Sequence, residues 1–222
     1  MKLYAIVPVK PLASSKSRLS HILRPKDRIR LVIAMLSDVL NALCRSDFIE
    51  ASLVISSDEE VKRIASDFRA QFLYEPKPGG LNVAIRKAIG ECLKLGAEGV
   101  LIIHADVPLV HEDGLRAISR GLDEHEVVIA PSLDLDGTNA LALTPPDVMP
   151  VSYGPGSFYR HLELALERNL STLVYFSRNL ALDVDRLRDV VLLSMSEDEE
   201  RASVLLAKEL VRTIVAHGHA GR

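Results

Sequence analysis

Leu3-Tyr4-Ala5-Ile6-Val7 runs without a polar break into Pro8-Val9-Lys10-Pro11-Leu12-Ala13-Ser14-Ser15-Lys16-Ser17-Arg18-Leu19. An apolar run with no alternation has no solvent-facing side, so Lys2 to Val7 reads as a strand buried on both faces. Beyond the loop, Ile29, Val32, Ile33, Leu36, Val39, Leu40 and Leu43 fall on one stripe and predict a helix from Lys26 to Leu43. A buried strand, a loop and an amphipathic helix form the opening unit of an α/β fold with a largely parallel sheet. The loop carries Lys10, Lys16 and Arg18. Backbone N–H groups at such a turn can face an anion while the cations neutralise it. A plain solvated surface loop has the same ingredients.

The alternation continues outward from this unit. Ala51–Ser56, Gln71–Tyr74, Gly99–Ile103, Glu126–Ala130 and Ser171–Phe176 read as strands, and Thr138–Leu143 as a further apolar segment. Ser57 and Asp58 are N-cap types for a helix carrying Val61, Ile64 and Phe68. Glu75-Pro76-Lys77-Pro78-Gly79-Gly80 reads as a loop. Leu81–Leu95 is a helix that Gly96 ends. His111–Leu122 and Phe158–Arg168 are further helices, and a short one follows Asp185. Ser196–Ala216 reads as a long last helix opened by a capping box of Ser196 and Glu199. The tail His217–Arg222 is expected to fray. One domain over residues 1–222 follows, a three-layer α/β/α sandwich around a mostly parallel mixed sheet.

Composition narrows the function classes. Of 222 residues, 48% are apolar and 26% charged, which suits a globular core rather than a disordered chain. The net charge of −3 lacks the basic excess that tracks nucleic acid. Cys44 and Cys92 sit among apolar neighbours and read as buried thiols, which fits a reducing compartment. No leader pattern opens the chain, and no apolar run approaches the ~20 residues that span a bilayer. A cytoplasmic protein with no membrane partner is the expectation.

Ligands of such sheets bind beyond the carboxyl ends of the strands. Asp106 follows the Gly99–Ile103 strand, on the same edge as the cationic loop. A carboxylate there suits Mg²⁺, which takes one or two carboxylates plus substrate phosphates; a turn or cap aspartate is the plainer alternative. Asp183 and Asp185 alternate on an extended segment and so point the same way, although Asp185 also reads as the N-cap of the helix with Leu187 and Val190. Gly137-Thr138-Asn139-Ala140 and Gly154-Pro155-Gly156-Ser157 offer hydroxyls and backbone N–H groups to a carboxylate or phosphate. Ser157 is also an ordinary N-cap type. Asn82 opens a helix with a donor and an acceptor that suit a base edge. His104 reads as a satisfied strand-end histidine. The dinucleotide fingerprint, the P-loop, the nucleophile elbow and zinc-ligand spacing are all absent from the sequence.

Taken in order, Val7-Pro8-Val9-Lys10 with Lys16-Ser17-Arg18-Leu19, Gly80-Leu81-Asn82, His104-Ala105-Asp106-Val107-Pro108, Gly137-Thr138-Asn139-Ala140, Tyr153-Gly154-Pro155-Gly156-Ser157 and Leu182-Asp183-Val184-Asp185 resemble the 2-phospho-L-lactate guanylyltransferases of coenzyme F-420 biosynthesis. These are nucleotidyltransferases of glycosyltransferase-A-like, nucleotide-diphospho-sugar transferase-like fold. Ala105 and Val107 depart from the usual Gly-Asp-Leu-Pro strand end but keep the carboxylate. The resemblance implies GTP and a small phosphorylated acid as substrates. It further implies Mg²⁺ on Asp106 and Asp183, catalysis by Lys16, Arg18 and Asp106, nucleotide binding by Lys10, Lys16, Arg18 and Asn82, and acid binding by Thr138, Gly154 and Ser157. Phosphoenolpyruvate is an alternative acceptor, and a non-catalytic nucleotide-binding regulator is the alternative of another class. The Thr144–Pro150 segment and the last helix are candidate homodimer surfaces, or pack within one chain. No residue in the sequence stands out as the one that selects guanine.

Overall fold

Strand β1 (Leu3–Pro8) lies in the middle of the sheet. The computed structural model describes residues 1–76 and 79–219. Leu3, Ala5 and Val7 enter the core on one side of the sheet, and Tyr4 and Ile6 enter the core on the other. Period-two alternation therefore meets apolar partners on both faces, which is why the run needs no polar positions.

Strand β1 pairs in parallel with β2 (Ile49–Ser56) and β4 (Gly99–Ile103), and β2 pairs in parallel with β3 (Gln71–Tyr74). Strand β6 (Thr138–Leu143) runs antiparallel to β4 and to β5 (Val127–Pro131), and β5 pairs in parallel with β7 (Thr172–Val174). The seven-stranded order is β3-β2-β1-β4-β6-β5-β7, a mixed sheet with one reversed strand. Helices α1 (Pro25–Arg45), α2 (Glu59–Asp67) and α4 (Glu112–Gly121) contribute to one core. Helices α3 (Leu81–Lys94) and α5 (Ser157–Glu167) contribute to the other. The three-layer expectation holds.

The end of the chain differs from the local reading. After a single turn, α6 (Arg178–Ala181), and α7 (Leu187–Ser194), helix α8 (Ala202–His219) begins well past Ser196. Glu199 pairs with Lys208 at 2.6 Å instead of closing a capping box. The first N–H groups of α8, on Ala202 and Ser203, donate to the buried carboxylate of Asp38 on α1 at 3.2 and 2.9 Å. A cap supplied from another helix satisfies the orphan donors as a local one would, and no local sequence pattern reveals it. Of the frayed tail expected at His217–Arg222, residues 217–219 continue α8 and residues 220–222 lie outside the described residues. Lys77 and Pro78 of the expected Glu75–Gly80 loop lie outside them as well.

Cys92 is buried, and burial pushes its thiol up to about 12. Cys44 is exposed, contrary to its apolar neighbourhood in sequence: Leu40 and Leu43 hold the inward stripe of α1, and Cys44 falls outside it. Met149 is buried within this chain, and so are Val204, Ala207 and Leu210 of α8. The two segments considered as dimer surfaces thus bury these side chains internally. No helix among the described residues is long and apolar enough to cross a membrane.

Candidate functional site

A cleft of about 980 Å³ opens at the carboxyl ends of the parallel strands, where the sheet rule places ligands. Val9 and Lys10 after β1, Ser56 and Ser57 at β2, Glu75 after β3, and His104 and Asp106 after β4 line it. The cationic loop closes one side. It is not a plain coil: short 3-10 turns form at Leu12–Ser14 and Ser17–Leu19, and the Leu12 N–H donates to Asp58 at 2.9 Å. Asp58 also caps α2 as expected, accepting the Glu60 N–H at 3.0 Å. Between the turns Lys16 adopts the left-handed conformation, φ 52°, and its side chain points inward.

The Lys16 ammonium donates to Asp106 Oδ2 at 2.6 Å and to Asp185 Oδ1 at 2.8 Å, while Arg18 donates to Asp185 Oδ2 at 2.7 Å. Asp183 belongs to the same group of charges. The segment reaches Asp106 because the Val184 N–H donates to the Asp106 carbonyl at 3.0 Å. Asn139 fixes it from the sheet, donating to the carbonyls of Leu180 and Ala181 at 2.9 and 3.0 Å. Asp185 does not cap α7. The Asp189 carboxylate takes that role, accepting the N–H groups of Asp185 and Arg186 at 3.1 and 2.7 Å, and so leaves the Asp185 side chain to the cleft.

The ionisation of these groups follows from burial and neighbours. Burial works to lower the Lys16 pKa, but Asp106 and Asp185 outweigh it and hold the ammonium above its ordinary range. Burial works to raise Asp106, and Lys16 overrides it, so Asp106 stays below the usual carboxylate range. Asp183 makes no ion pair with a cation among the described residues. Burial first, then the charges of Asp106 and Asp185, push it up to about 6. The acids exceed the cations at this point of the cleft, and Asp106 Oδ1 is buried with no hydrogen-bond partner among the described residues. Both features mark a place for an added cation. Among the described residues no three or more His, Cys, Asp or Glu side chains stand ready as a metal cage.

Donors for an anion stand opposite, on β6 and α5. Ser157 is the first residue of α5, with Gly156 as the N-cap, so its hydroxyl does not cap the helix. It accepts the Thr138 N–H at 3.0 Å instead, leaving its own hydrogen to donate. His161, one turn further along α5, was not singled out by the sequence. Burial, then the charge of Arg160, lowers it to about 4, so the ring is neutral near pH 7. The Ser152 N–H donates to its Nε2 at 2.9 Å, which assigns the proton to Nδ1, and Nδ1 lies 3.0 Å from Thr138 Oγ1. The Thr138 hydroxyl thus accepts from His161 and keeps its hydrogen to donate. Gly154 sits at φ +130°, and a Cβ there would lie 3.3 Å from the Arg160 guanidinium, so glycine is required. Its N–H has no partner among the described residues. Asp136 accepts the Gly156 N–H at 3.0 Å, and Arg160 donates to the carbonyls of Ser152 and Pro155, so this turn is held from both sides.

The remaining expected residues are placed differently. Lys10 is exposed at the cleft edge and makes no ion pair among the described residues. Asn82 turns its amide to the Tyr153 backbone: its Nδ2 donates to the Tyr153 carbonyl at 3.0 Å and its Oδ1 accepts the Tyr153 N–H at 2.7 Å. It therefore joins α3 to the Tyr153–Ser157 turn and does not line the cleft. His104 is not satisfied. Its Nε2 is buried with no partner among the described residues, and its ring lies 5.1 Å from that of Tyr153. The position of His161, one helical turn after Ser157 on the same face, was the signal available in the sequence for it.

A family model described as "Guanylyl transferase CofC like" matches residues 3–221. A phosphoenolpyruvate guanylyltransferase of Sphaerobacter thermophilus is 37% identical over 86% of this chain and 91% of its own. A 2-phospho-L-lactate guanylyltransferase of Methanocaldococcus jannaschii is 35% identical over 86% of this chain and 81% of its own. Among solved structures, a nucleotide-diphospho-sugar transferase-like protein of Desulfovibrio desulfuricans G20 matches with a TM-score of 0.79 at 17% identity, covering 96% of this chain and 99% of that one. A cytidylyltransferase of Leptospira borgpetersenii matches with a TM-score of 0.60 at 14% identity, covering 96% and 95%. The structural likenesses establish the fold.

Proposed function

The chain belongs to the CofC-like guanylyl transferase family, and on that premise we propose that it transfers GMP from GTP to 2-phospho-L-lactate, giving lactyl-2-diphospho-5′-guanosine and pyrophosphate. The observation that carries the reading is one cleft with the two halves such a reaction needs. Asp106, Asp183, Asp185, Lys16 and Arg18 form its charged half, and Thr138, Gly154 and Ser157 form its anion-donor half. A non-catalytic nucleotide-binding protein would have no use for the second half.

An oxygen of the acceptor phosphate attacks the α-phosphorus of GTP. The bond to the oxygen bridging the α- and β-phosphorus breaks, and pyrophosphate leaves with that electron pair. A phosphate monoester is largely ionised near pH 7, so no side chain has to remove a proton. Repulsion between two anions is the main obstacle, and positioning plus charge compensation supply the rate. Lys16 and Arg18 hold the triphosphate. The hydroxyls of Thr138 and Ser157 and the N–H of Gly154 orient the acid. His161 keeps the Thr138 proton aimed at it.

The residues fit Mg²⁺. Asp106 has a buried oxygen with no hydrogen bond among the described residues, 4.0 Å from His104 Nδ1, and Asp183 carries charge that its surroundings disfavour. A preformed cage is not needed, because Mg²⁺ keeps waters and substrate oxygens among its ligands. When bound to Asp106 and Asp183, Mg²⁺ would neutralise charge on the phosphate oxygens.

Phosphoenolpyruvate is the second reading, since relatives named for each acceptor are about equally similar to this chain. Pyrophosphate release from each of the common nucleoside triphosphates, crossed with 2-phospho-L-lactate and phosphoenolpyruvate under Mg²⁺, is the test. Release with GTP and 2-phospho-L-lactate is expected. Release only with phosphoenolpyruvate selects the second reading, and none with either acid overturns the proposal. Ser157→Ala should raise the acceptor KM by about 10- to 100-fold, the worth of one hydrogen bond to a charged group. The KM for GTP should stay within about twofold. A shift confined to GTP would remove Ser157 from the acid site.

A further inference from the structure

The cleft extends beyond the Lys16–Asp106 ion pair over the ends of β1, β2 and β3. The acid donors stand on β6 and α5, and the carboxylates stand at the end of β4 and on the 183–185 segment. With the strand order β3-β2-β1-β4-β6, the nucleoside is left the part of the wall over β1 to β3. Val9 after β1, Ile55 on β2, and Leu81 and Ala84 in the first turn of α3 line that part, and apolar edges of this kind suit the faces of a base.

One acid interrupts the apolar lining. Glu75 follows β3 directly, where its N–H donates to the Ser56 carbonyl at 2.9 Å and fixes the backbone. It is only 6% exposed. Lys87 on α3 donates to its Oε1 at 3.0 Å; the carboxylate accepts no other hydrogen bond among the described residues. A buried carboxylate has about four acceptor sites to satisfy, and a single bond from a half-exposed lysine leaves most of them to a ligand.

We propose that Glu75 is the residue that selects guanine, its carboxylate accepting N1–H and the exocyclic N2–H together. This rests on the guanylyl-transfer reading and deepens it. Guanine alone among the common bases presents two adjacent donors on that edge. Adenine and cytosine place a ring-nitrogen acceptor there, which a carboxylate repels, and uracil offers one donor between two carbonyls. Lys87 offsets the charge of the carboxylate and takes one acceptor position on Oε1, leaving Oε2 and the second position of Oε1 to the base.

The test uses the full-length protein with GTP, ITP and XTP. Inosine lacks the N2 amino group, and xanthine replaces it with a carbonyl. Wild type should favour GTP over ITP by about 100-fold in kcat/KM, since a site built for a donor rejects the analogue lacking it. In Glu75→Gln the amide offers one acceptor and one donor, which matches N1–H and the carbonyl of xanthine. GTP should then lose about 100-fold, XTP should gain, and the acceptor KM should stay unchanged. A wild-type GTP-to-ITP ratio near one overturns the proposal without any substitution. So does a Glu75→Gln protein of unchanged melting temperature that keeps the wild-type order of the three nucleotides. Equilibrium binding of the same nucleotides carries the same comparison. Binding of GTP without transfer to either acid would overturn the reaction while still testing Glu75.

Discussion

Asp106→Asn is expected to lower kcat for guanylyl transfer by about 10³-fold or more while leaving the melting temperature within about 5 °C of wild type. Asparagine keeps the shape of the side chain and removes the charge. The Lys16 ammonium loses one of its acids but keeps Asp185 at 2.8 Å, so no buried cation is stranded. The amide also removes the desolvation that Asp106 suffers by burial, which offsets part of the lost ion pair. Transfer in the proposed reaction, by contrast, loses one of the two carboxylates that would hold Mg²⁺, and the charge neutralisation such an ion would supply carries a large share of phosphoryl-group catalysis. Steady-state kinetics beside thermal unfolding separates the two effects. Activity within tenfold of wild type would remove Asp106 from the machinery.

The same substitution has a signature in pH. In the metal-free protein Asp183 is pushed up to about 6, by burial first and by Asp106 and Asp185 next. Its folded pKa lies above its unfolded one, so the folded state holds this proton more tightly. That contribution to stability is present at low pH and is lost as pH rises through about 6. Removing the Asp106 charge should move the loss to lower pH. An unchanged pH dependence of unfolding would separate Asp183 electrostatically from Asp106.

What the sequence disclosed and what it hid divide along a physical line. Strand β1, the cationic loop and Asp106 were legible because continuous apolar patterning and the strand-end rule are local, and both put Lys16 and Asp106 at one edge of the sheet. The rest depended on partners distant in the chain. Asp185 faces the cleft only because Asp189 caps α7. Helix α8 starts at Ala202 because the carboxylate of Asp38 lies there to receive its N–H groups. Cys44 is exposed because other residues of α1 hold the inward stripe. Asn82 reads in sequence as an amide at a helix start that suits a base edge, and its engagement with the Tyr153 backbone, far along the chain, has no local signal. Glu75 lies hidden in sequence inside a proline- and glycine-rich loop, although it too follows a strand end, directly after β3, as Asp106 follows β4.

Lys16→Met carries the second large effect, and it appears in two measurements. Methionine retains the length of the stem and bears the same left-handed backbone, φ 52° in the wild type, so the comparison isolates the ammonium. Its loss leaves Asp106, Asp183 and Asp185 close together with Arg18 as their remaining cation. Removing one partner of a buried pair strands the other, and here the metal-free protein should lose about 3 kcal/mol of stability. Mg²⁺ would then occupy ground that Lys16 holds in its absence. The melting temperature of the variant should rise more on adding Mg²⁺ than that of wild type, because binding to the folded state alone stabilises it and no ammonium has to be displaced. In turnover, kcat/KM for GTP should fall by about 10²- to 10³-fold, with the acceptor KM little changed, since the proposed reaction puts the lost charge on the triphosphate. Equal stabilisation of both proteins by Mg²⁺ would mean that lysine and metal do not share these carboxylates. An equal rise in both KM values would place Lys16 in the general architecture of the cleft rather than on the nucleotide.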